Sequence, residues 1–397
     1  MSEDYTKDYR ESLLYKFLRS LVKNVVMPYY RVSWVNKEAV DKLEKPYLVL
    51  PNHSGFFDPF FLNAPVKEKF HYVVSDTQFR SPLMRFLLGQ TGAIPITKNT
   101  NDLKSVKKMT DASRAGRVVG IFPEGLRNWD GETLPLIEST AKLVRMLNVP
   151  VVVPLLEGAY LMDPRWGTSL RRGKVVITYK ILFDGQRPGR MKISEISSAL
   201  KEALDHNEFT SETLKGVKFK SRKRAENIEQ IVYLCPECHS ISSFKSKGND
   251  FSCSKCGYSV HYTEEGHFRA LKGKDHFDNM AEWNKWQKGE AVKILQKDHG
   301  EEPIFSDCNL IHSMPDEKGA FRKKGKGCLY FYKDKIEYRD ESGYLFIYKL
   351  EGISGMNVQL HERLEFYYEK ELHRFHSKKR VFSARKVNDF YELSMDL

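Results

Sequence analysis

Between Leu13 and Trp34, apolar residues recur at three- and four-residue spacing: Leu13, Leu14, Phe17, Leu18, Leu21, Val22, Val25 and Val26. Lys16, Arg19, Lys23 and Asn24 fall between them, so the pattern predicts an amphipathic helix with a basic polar face. Pro28 ends or kinks it, and Tyr29, Tyr30 and Trp34 come after. Such a helix can lie in a membrane interface or pack its apolar stripe on the protein's own core, and the pattern leaves both open. From residue 47 to about 205 the pattern alternates. Apolar runs at Leu48–Leu50, His71–Val74, Val118–Phe122, Val151–Leu156 and Lys174–Leu182 predict strands. Helical stretches lie between them, near 78–88, 102–115, 136–148 and 194–205. This alternation predicts a layered sheet-and-helix α/β domain, where ligands collect beyond the strand ends.

The second half reads differently. Phe277 to Lys297 is helical in pattern and contains Trp283 and Trp286. Residues 303–326 are Gly- and Lys-rich and read as loop. Strands are expected at Cys328–Tyr332, Lys335–Tyr338, Tyr344–Lys349, Met356–Leu360, Leu364–Tyr368 and His373–His376, then a helix over Ser383–Met395.

Composition narrows the choices. A chain of 397 residues, 41% hydrophobic and 12% aromatic, suits two or three globular domains. The net charge of +12 favours an anionic partner: phosphate, nucleic acid or an acidic membrane surface. The first twelve residues carry Glu3, Asp4, Lys7, Asp8, Arg10 and Glu11, with no signal-peptide pattern after them. No apolar run reaches the ~20 residues of a membrane-spanning helix. The expectation is a cytoplasmic protein, peripheral on the cytoplasmic face of a membrane, with reduced thiols.

Candidate chemistry sits where strands end. Asn52-His53-Ser54-Gly55-Phe56-Phe57-Asp58 follows the first buried run. If the chain folds back over this turn, the Asp58 carboxylate reaches one ring nitrogen of His53. The other nitrogen is left to take a proton, as in general-base catalysis of an alcohol; local hydrogen bonding alone is the rival reading. Lys98 ends a short apolar stretch, as a cation or as an ordinary surface lysine. Pro123-Glu124-Gly125-Leu126-Arg127-Asn128 follows another buried run. There Arg127 can hold a phosphate bidentately or pair with Glu124, and Gly125 lets a ligand approach the backbone. Pro154, within Val151–Leu156, implies an edge strand or a strand end.

Together these stretches carry a resemblance. The order His-x4-Asp, Gly-Ala-Ile-Pro-Ile-Thr-Lys, Phe-Pro-Glu-Gly-x-Arg and Val-Pro-Val-Val-x-Pro resembles the lysophosphatidic acid (1-acylglycerol-3-phosphate) acyltransferase family over roughly residues 45–185. The resemblance implies acyl transfer from acyl-CoA or acyl carrier protein to a lipid hydroxyl, without a catalytic cofactor. His53 would be the base and Asp58 its orienter. Lys98, Glu124, Gly125 and Arg127 would hold the phosphoglycerol head, and Pro154 would shape the acyl tunnel. Leu126 and Asn128 stand where the family usually has Thr and Ser. Leu134 to Lys142 lacks the family's lysine–glycine pair, which leaves the acceptor open between lysophosphatidic acid, another lysophospholipid and glycerol 3-phosphate. Asn128-Trp129-Asp130-Gly131 and Tyr160…Pro164-Arg165-Trp166 stand outside the shared pattern.

Beyond this, Lys215, Lys218, Lys220, Arg222, Lys223 and Arg224 read as an exposed linker, facing lipid or nucleic acid or simply solvated. Cys235-x2-Cys238 and Cys253-x2-Cys256 are spaced as the paired knuckles of a zinc ribbon, with four thiolates for a structural Zn2+. Cys308 and Cys328 have no such pattern and read as ordinary thiols. The expected layout is an N-terminal amphipathic helix (1–36), an acyltransferase α/β domain (37–214), a zinc ribbon (228–264) and a β-rich module (300–397). That module weakly resembles pleckstrin-homology or GRAM domains in element order. A zinc-ribbon nucleic-acid-binding protein is the alternative of a different class. Against it, aromatic residues do not interleave with the basic run.

Overall fold

The computed structural model describes residues 12–96, 103–317, 319–378 and 382–397, so Lys98 lies outside the described residues. The chain forms two compact units. The first comprises Met1–Pro164 and Leu170–Lys220, the second Arg165–Ser169 and Ser221–Leu397.

The first unit is built on seven strands: β1 (Val32–Val35), β2 (Leu48–Val49), β3 (Phe70–Ser75), β4 (Ile94–Ile96), β5 (Val118–Gly120), β6 (Val151–Glu157) and β7 (Val175–Phe183). Their order is β1-β7-β6-β2-β5-β3-β4, parallel throughout except for the antiparallel pair β6–β7. Alternate strand residues enter two apolar cores. Val49, Val118, Val152 and Ile177 join Met27, Phe61 and Phe70 in one. Leu48, Val119, Val151 and Val153 join Met109, Val144, Ile196 and Leu200 in the other. The helices Leu103–Arg114, Ser139–Leu147 and Ile193–Leu204 supply that second layer. A sheet covered on both faces needs apolar residues at every strand position, which is why its strands read as unbroken apolar runs.

Two prolines lie in the strands of the first unit. Pro95 lies in β4 at the sheet edge. Pro154 contradicts the expectation of an edge or strand end, because β6 lies between β2 and β7. On the β2 side, Leu50 N–H donates to the Val152 carbonyl, and the Asn52 side chain pairs with both backbone groups of Leu156. Pro154 falls between those two positions, beyond the end of β2.

The N-terminal helix forms where expected. Helical turns continue through Leu13–Leu21, a wider π-type turn at Val22–Val26, and Met27–Tyr29. Pro28 cannot donate to the preceding turn and its ring crowds the carbonyl four residues back. The turn ahead of it is widened and the helix ends at Tyr29, as Pro28 predicts. Trp34 is not helical: it lies in β1, opposite Ile177 of β7. Val22, Val26 and Met27 pack on the core, whereas Leu13 (85%), Phe17 (64%) and Val25 (57%) are exposed. The helix therefore has one stripe on the protein's own core and another facing outward. Among the described residues, no helix is long and apolar enough to cross a membrane.

The second unit holds two antiparallel sheets. The smaller contains β8 (Phe244–Lys247), β9 (Asp250–Cys253), β10 (Ser259–Tyr262) and β11 (Phe268–Lys272), in the order β11-β10-β9-β8. Phe244, Phe251 and Phe268 surround Trp283 of the helix Met280–Gln296. The larger contains β12 (Phe305–Pro315), β13 (Phe321–Phe331), β14 (Lys335–Asp340), β15 (Leu345–Lys349), β16 (Ile353–Gln359), β17 (Arg363–Tyr368) and β18 (Glu371–His376). Its order is β15-β14-β13-β12-β18-β17-β16, and the helix Ala384–Met395 follows. Most of residues 303–326, expected as loop, is thus β12 and the start of β13. Arg322, Lys323 and Lys324 are exposed on a solvated stretch of hairpin, so no apolar alternation marks it. Cys308 and Cys328 lie on these two neighbouring strands and form a disulfide, in contrast to the separate thiols expected. The basic run is likewise not a bare linker. Arg224 is buried, donating to the carbonyls of Ser221 and Tyr262, and Phe219 is buried over Gly173.

Candidate active site

β2 and β5 run parallel, so the segments that follow them leave the same end of the sheet. After β2, Asn52 anchors the loop by completing the sheet with its side chain, as described above. The chain then turns through Ser54 and Gly55 into a short helix, Asp58–Asn63, with Pro59 in its first turn. Asp58 is 1% exposed. Its Oδ2 accepts the backbone N–H groups of Ser54 (2.7 Å) and Gly55 (2.9 Å) and lies 2.9 Å from His53 Nδ1. Gly55 is required for this approach, because a Cβ there would stand 2.9 Å from Asp58 Oδ1. The His53 ring stacks on Phe122, with centroids 3.9 Å apart, and Phe122 stacks on Tyr72. Ring orientation is thus fixed by a carboxylate at Nδ1 and an aromatic face. With Nδ1–H donating to Asp58, Nε2 is the acceptor.

The segment after β5 supports that loop. Glu124 is buried, and its two carboxylate oxygens accept from different N–H groups: His53 (2.6 Å) and Leu134 (2.8 Å). Burial pushes its carboxyl up to about 8, against the opposing pull of those two N–H donors. Gly125 adopts φ +70°, and a Cβ there would come within 2.7 Å of Ile137 Cδ1, so its role in this structure is to make the turn. Asn128 is buried; its N–H donates to the His53 carbonyl (3.0 Å) and its side-chain amide to Ser54 Oγ (3.0 Å).

Arg127 reaches Ser54 and Asp163. Its Nε donates to the Ser54 carbonyl (3.1 Å), and Nη2 donates to the Asp163 carbonyl (2.8 Å) and lies 3.3 Å from Asp163 Oδ2. Asp163 Oδ2 also accepts the Phe56 N–H at 2.7 Å. Sequence reading missed Asp163, and no local spacing betrays a residue 107 positions from its partner. His53, Asp58, Glu124 and Arg127 are therefore joined by hydrogen bonds through residues 53–55, with Gly125 in the turn beside them. Pro154 is buried within β6. The arrangement offers a proton acceptor of fixed orientation at the end of a sheet.

In the second unit, the sulfur atoms of Cys235, Cys238, Cys253 and Cys256 all lie within 4.8 Å of one another. The Cys235–Cys256 and Cys238–Cys253 pairs are 3.7 Å apart. Four thiolates around a tetrahedral ion with metal–sulfur bonds of about 2.3 Å would sit about 3.8 Å apart. The donor set and spacing fit, and the four cysteines can hold a metal ion.

Comparison with known proteins agrees with the first unit's geometry. Residues 31–156 match the acyltransferase family model. The 1-acyl-sn-glycerol-3-phosphate acyltransferase of Bacillus subtilis is 25% identical over 194 residues, covering 48% of this chain and 94% of the relative. A Chlamydomonas reinhardtii protein of the same name is 24% identical over 181 residues, covering 45% of this chain and 53% of the relative. The chain thus spans about half the length of the algal relative. The crystal structure of the 1-acyl-sn-glycerophosphate acyltransferase PlsC from Thermotoga maritima aligns with a TM-score of 0.40 at 17% identity, covering 52% of this chain and 84% of that one. The match thus assigns residues 31–156, which carry the site, to an acyltransferase domain. Over about half of its length the chain is similar to proteins named 1-acyl-sn-glycerol-3-phosphate acyltransferase.

Proposed function

We propose that this protein transfers a fatty acyl group from acyl-CoA or acyl carrier protein to the free hydroxyl of 1-acylglycerol 3-phosphate, forming phosphatidic acid. The observation that carries this reading is His53 Nδ1 held 2.9 Å from a buried carboxylate that is itself fixed by two backbone N–H groups. His53 Nε2 takes the hydroxyl proton as the alcohol oxygen attacks the thioester carbonyl carbon. The tetrahedral oxyanion collapses, the carbon–sulfur bond breaks, and the imidazolium returns its proton to the departing thiolate. Asp58 holds the tautomer and stabilises the imidazolium. No enzyme-bound acyl intermediate is required.

Lys98, Glu124, Gly125 and Arg127 border the phosphoglycerol head in this reading, and Pro154 borders the acyl chain. Glu124 and Gly125 act by shaping the loop, and Arg127 brings a guanidinium whose charge is shared with Asp163. Attachment to an anionic membrane on its cytoplasmic face is supported by the outward apolar stripe of the first helix, interleaved with Lys16 and Lys23. Cys235, Cys238, Cys253 and Cys256 hold one structural Zn2+ in a zinc ribbon, and no metal takes part in the chemistry. The sheet β12–β18 with its following helix is read as a pleckstrin-homology- or GRAM-like module.

The test is to incubate the purified protein with acyl-CoA or acyl carrier protein and a panel of lysophosphatidic acid, other lysophospholipids and glycerol 3-phosphate. Thiol release dependent on lysophosphatidic acid is expected. Release with another acceptor only would reassign the substrate. Steep, salt-dependent nucleic-acid binding with no thiol release would favour the zinc-ribbon alternative.

A further inference from the structure

The catalytic loop is gripped from two sides. From within, Ser54 and Gly55 give their N–H groups to Asp58, the residue that also meets the His53 ring. From outside, the Ser54 carbonyl is taken by Arg127 Nε, and the Phe56 N–H by Asp163 Oδ2 at 2.7 Å. Arg127 and Asp163 are in turn joined through the Asp163 carbonyl and carboxylate. Asp163 follows the short helix Ala159–Met162, and its own N–H donates to the Ala159 carbonyl. Its position is thus set by a buried helix and not by the loop it holds.

We propose that Asp163 is a positioning residue for acyl transfer: with Arg127 it clamps Ser54–Phe56, so that Asp58 stays seated against the His53 ring. The proposal rests on the functional reading above. It gives the Tyr160…Pro164 stretch, which lies outside the family's motifs, a task. It also gives Arg127 a second task besides any contact with a phosphate. The carboxylate touches no reacting atom in this scheme; it acts through the loop. Loss of the Phe56 acceptor leaves that N–H without its partner and frees the residue next to Gly55. A displacement of order 1 Å at a proton-transferring group costs about 100-fold in rate.

The test compares Asp163→Ala and Asp163→Asn with the wild-type full chain, using hydrogen exchange of the 52–60 segment beside kcat and KM for the thioester donor. Asp163→Ala should raise exchange of this segment about tenfold while the core strands exchange as before. It should lower kcat about 10- to 100-fold, with donor KM within about twofold. Asp163→Asn keeps an oxygen that accepts the Phe56 N–H, and should return to within about threefold of wild type. Unchanged exchange at 52–60, or kcat within about twofold of wild type in folded Asp163→Ala protein, overturns the proposal. A uniform rise in exchange across the first unit also overturns it, because the residue would then be a general stabiliser. Faster local exchange in Asp163→Ala, with no thiol release even from the wild type, would uphold the clamp and sink the acyl-transfer reading.

Discussion

Glu124 shows how a buried carboxylate shapes the loop that carries His53. Its carboxylate receives two N–H groups that point at it from different segments, one of them that of His53. Burial nevertheless pushes its carboxyl up to about 8. The folded protein therefore holds a proton there at pH values where the unfolded chain, titrating near 4.5, has lost it. Its contribution is complete below about 4.5 and is lost as pH rises towards 8. Glu124→Gln cannot titrate, so the unfolding free energy of wild type minus that of the variant should fall between pH 5 and pH 8.5. The expected fall is at least about 1.4 kcal/mol, measured by urea denaturation at the two pH values. A constant difference would contradict the assignment. Asn128 is the second such residue. Asn128→Ala removes the partner of Ser54 Oγ in a buried place and should cost about 1–3 kcal/mol in the same measurement. A cost below about 0.5 kcal/mol would mean that the amide does not hold the loop. The contact between His53 and Asp58 was legible in sequence because a five-residue spacing with Gly55 inside it permits only a tight turn. The Arg127–Asp163 pair was not, since it joins residues from separate loops.

At the scale of elements, apolar runs in the first unit translated into strands because the sheet is buried on both faces. Pro154 was misread because sequence shows a missing donor but not where a neighbouring strand ends. The β12–β13 hairpin was illegible, as its Arg322–Lys324 stretch faces solvent and carries no period of two. That misreading hid the disulfide, because Cys308 and Cys328 become neighbours only once both strands exist. The first helix carries the prediction that belongs here. Phe17 is exposed and makes up part of its outward stripe. Phe17→Glu should leave the folded protein's thermal midpoint within about 2 °C of wild type, as exposed substitutions do. It should weaken sedimentation with anionic phospholipid vesicles several-fold, by placing a charge on the apolar face. Undiminished sedimentation would mean that the stripe does not meet lipid.

The molecule as a whole joins a unit held by an apolar core to one in which four cysteines converge. The second unit includes a four-stranded sheet whose core centres on Trp283, with Cys235 and Cys253 buried beside it. Stripping a bound ion would leave thiolates facing one another with no counter-charge. Chelation should therefore unfold this sheet, seen as a rise in Trp283-region fluorescence wavelength together with release of about one zinc per chain. The first unit's unfolding transition should stay where it was. Protein purified without chelator that contains no metal would remove the zinc-ribbon reading while leaving the acyltransferase reading intact. The cysteine spacing made the four-cysteine cluster legible from sequence, because two short knuckles bring four thiols together almost independently of what surrounds them.

The central claim is that the His53 imidazole, steered by Asp58, removes the proton of a lipid alcohol as it attacks a thioester. The most direct measurement is thiol release from acyl-CoA on addition of lysophosphatidic acid, compared between wild type and His53→Ala protein whose circular dichroism spectrum matches the wild type. A rate lower by roughly two to four orders of magnitude in the variant is predicted. Thiol release at close to the wild-type rate by folded His53→Ala protein would contradict it.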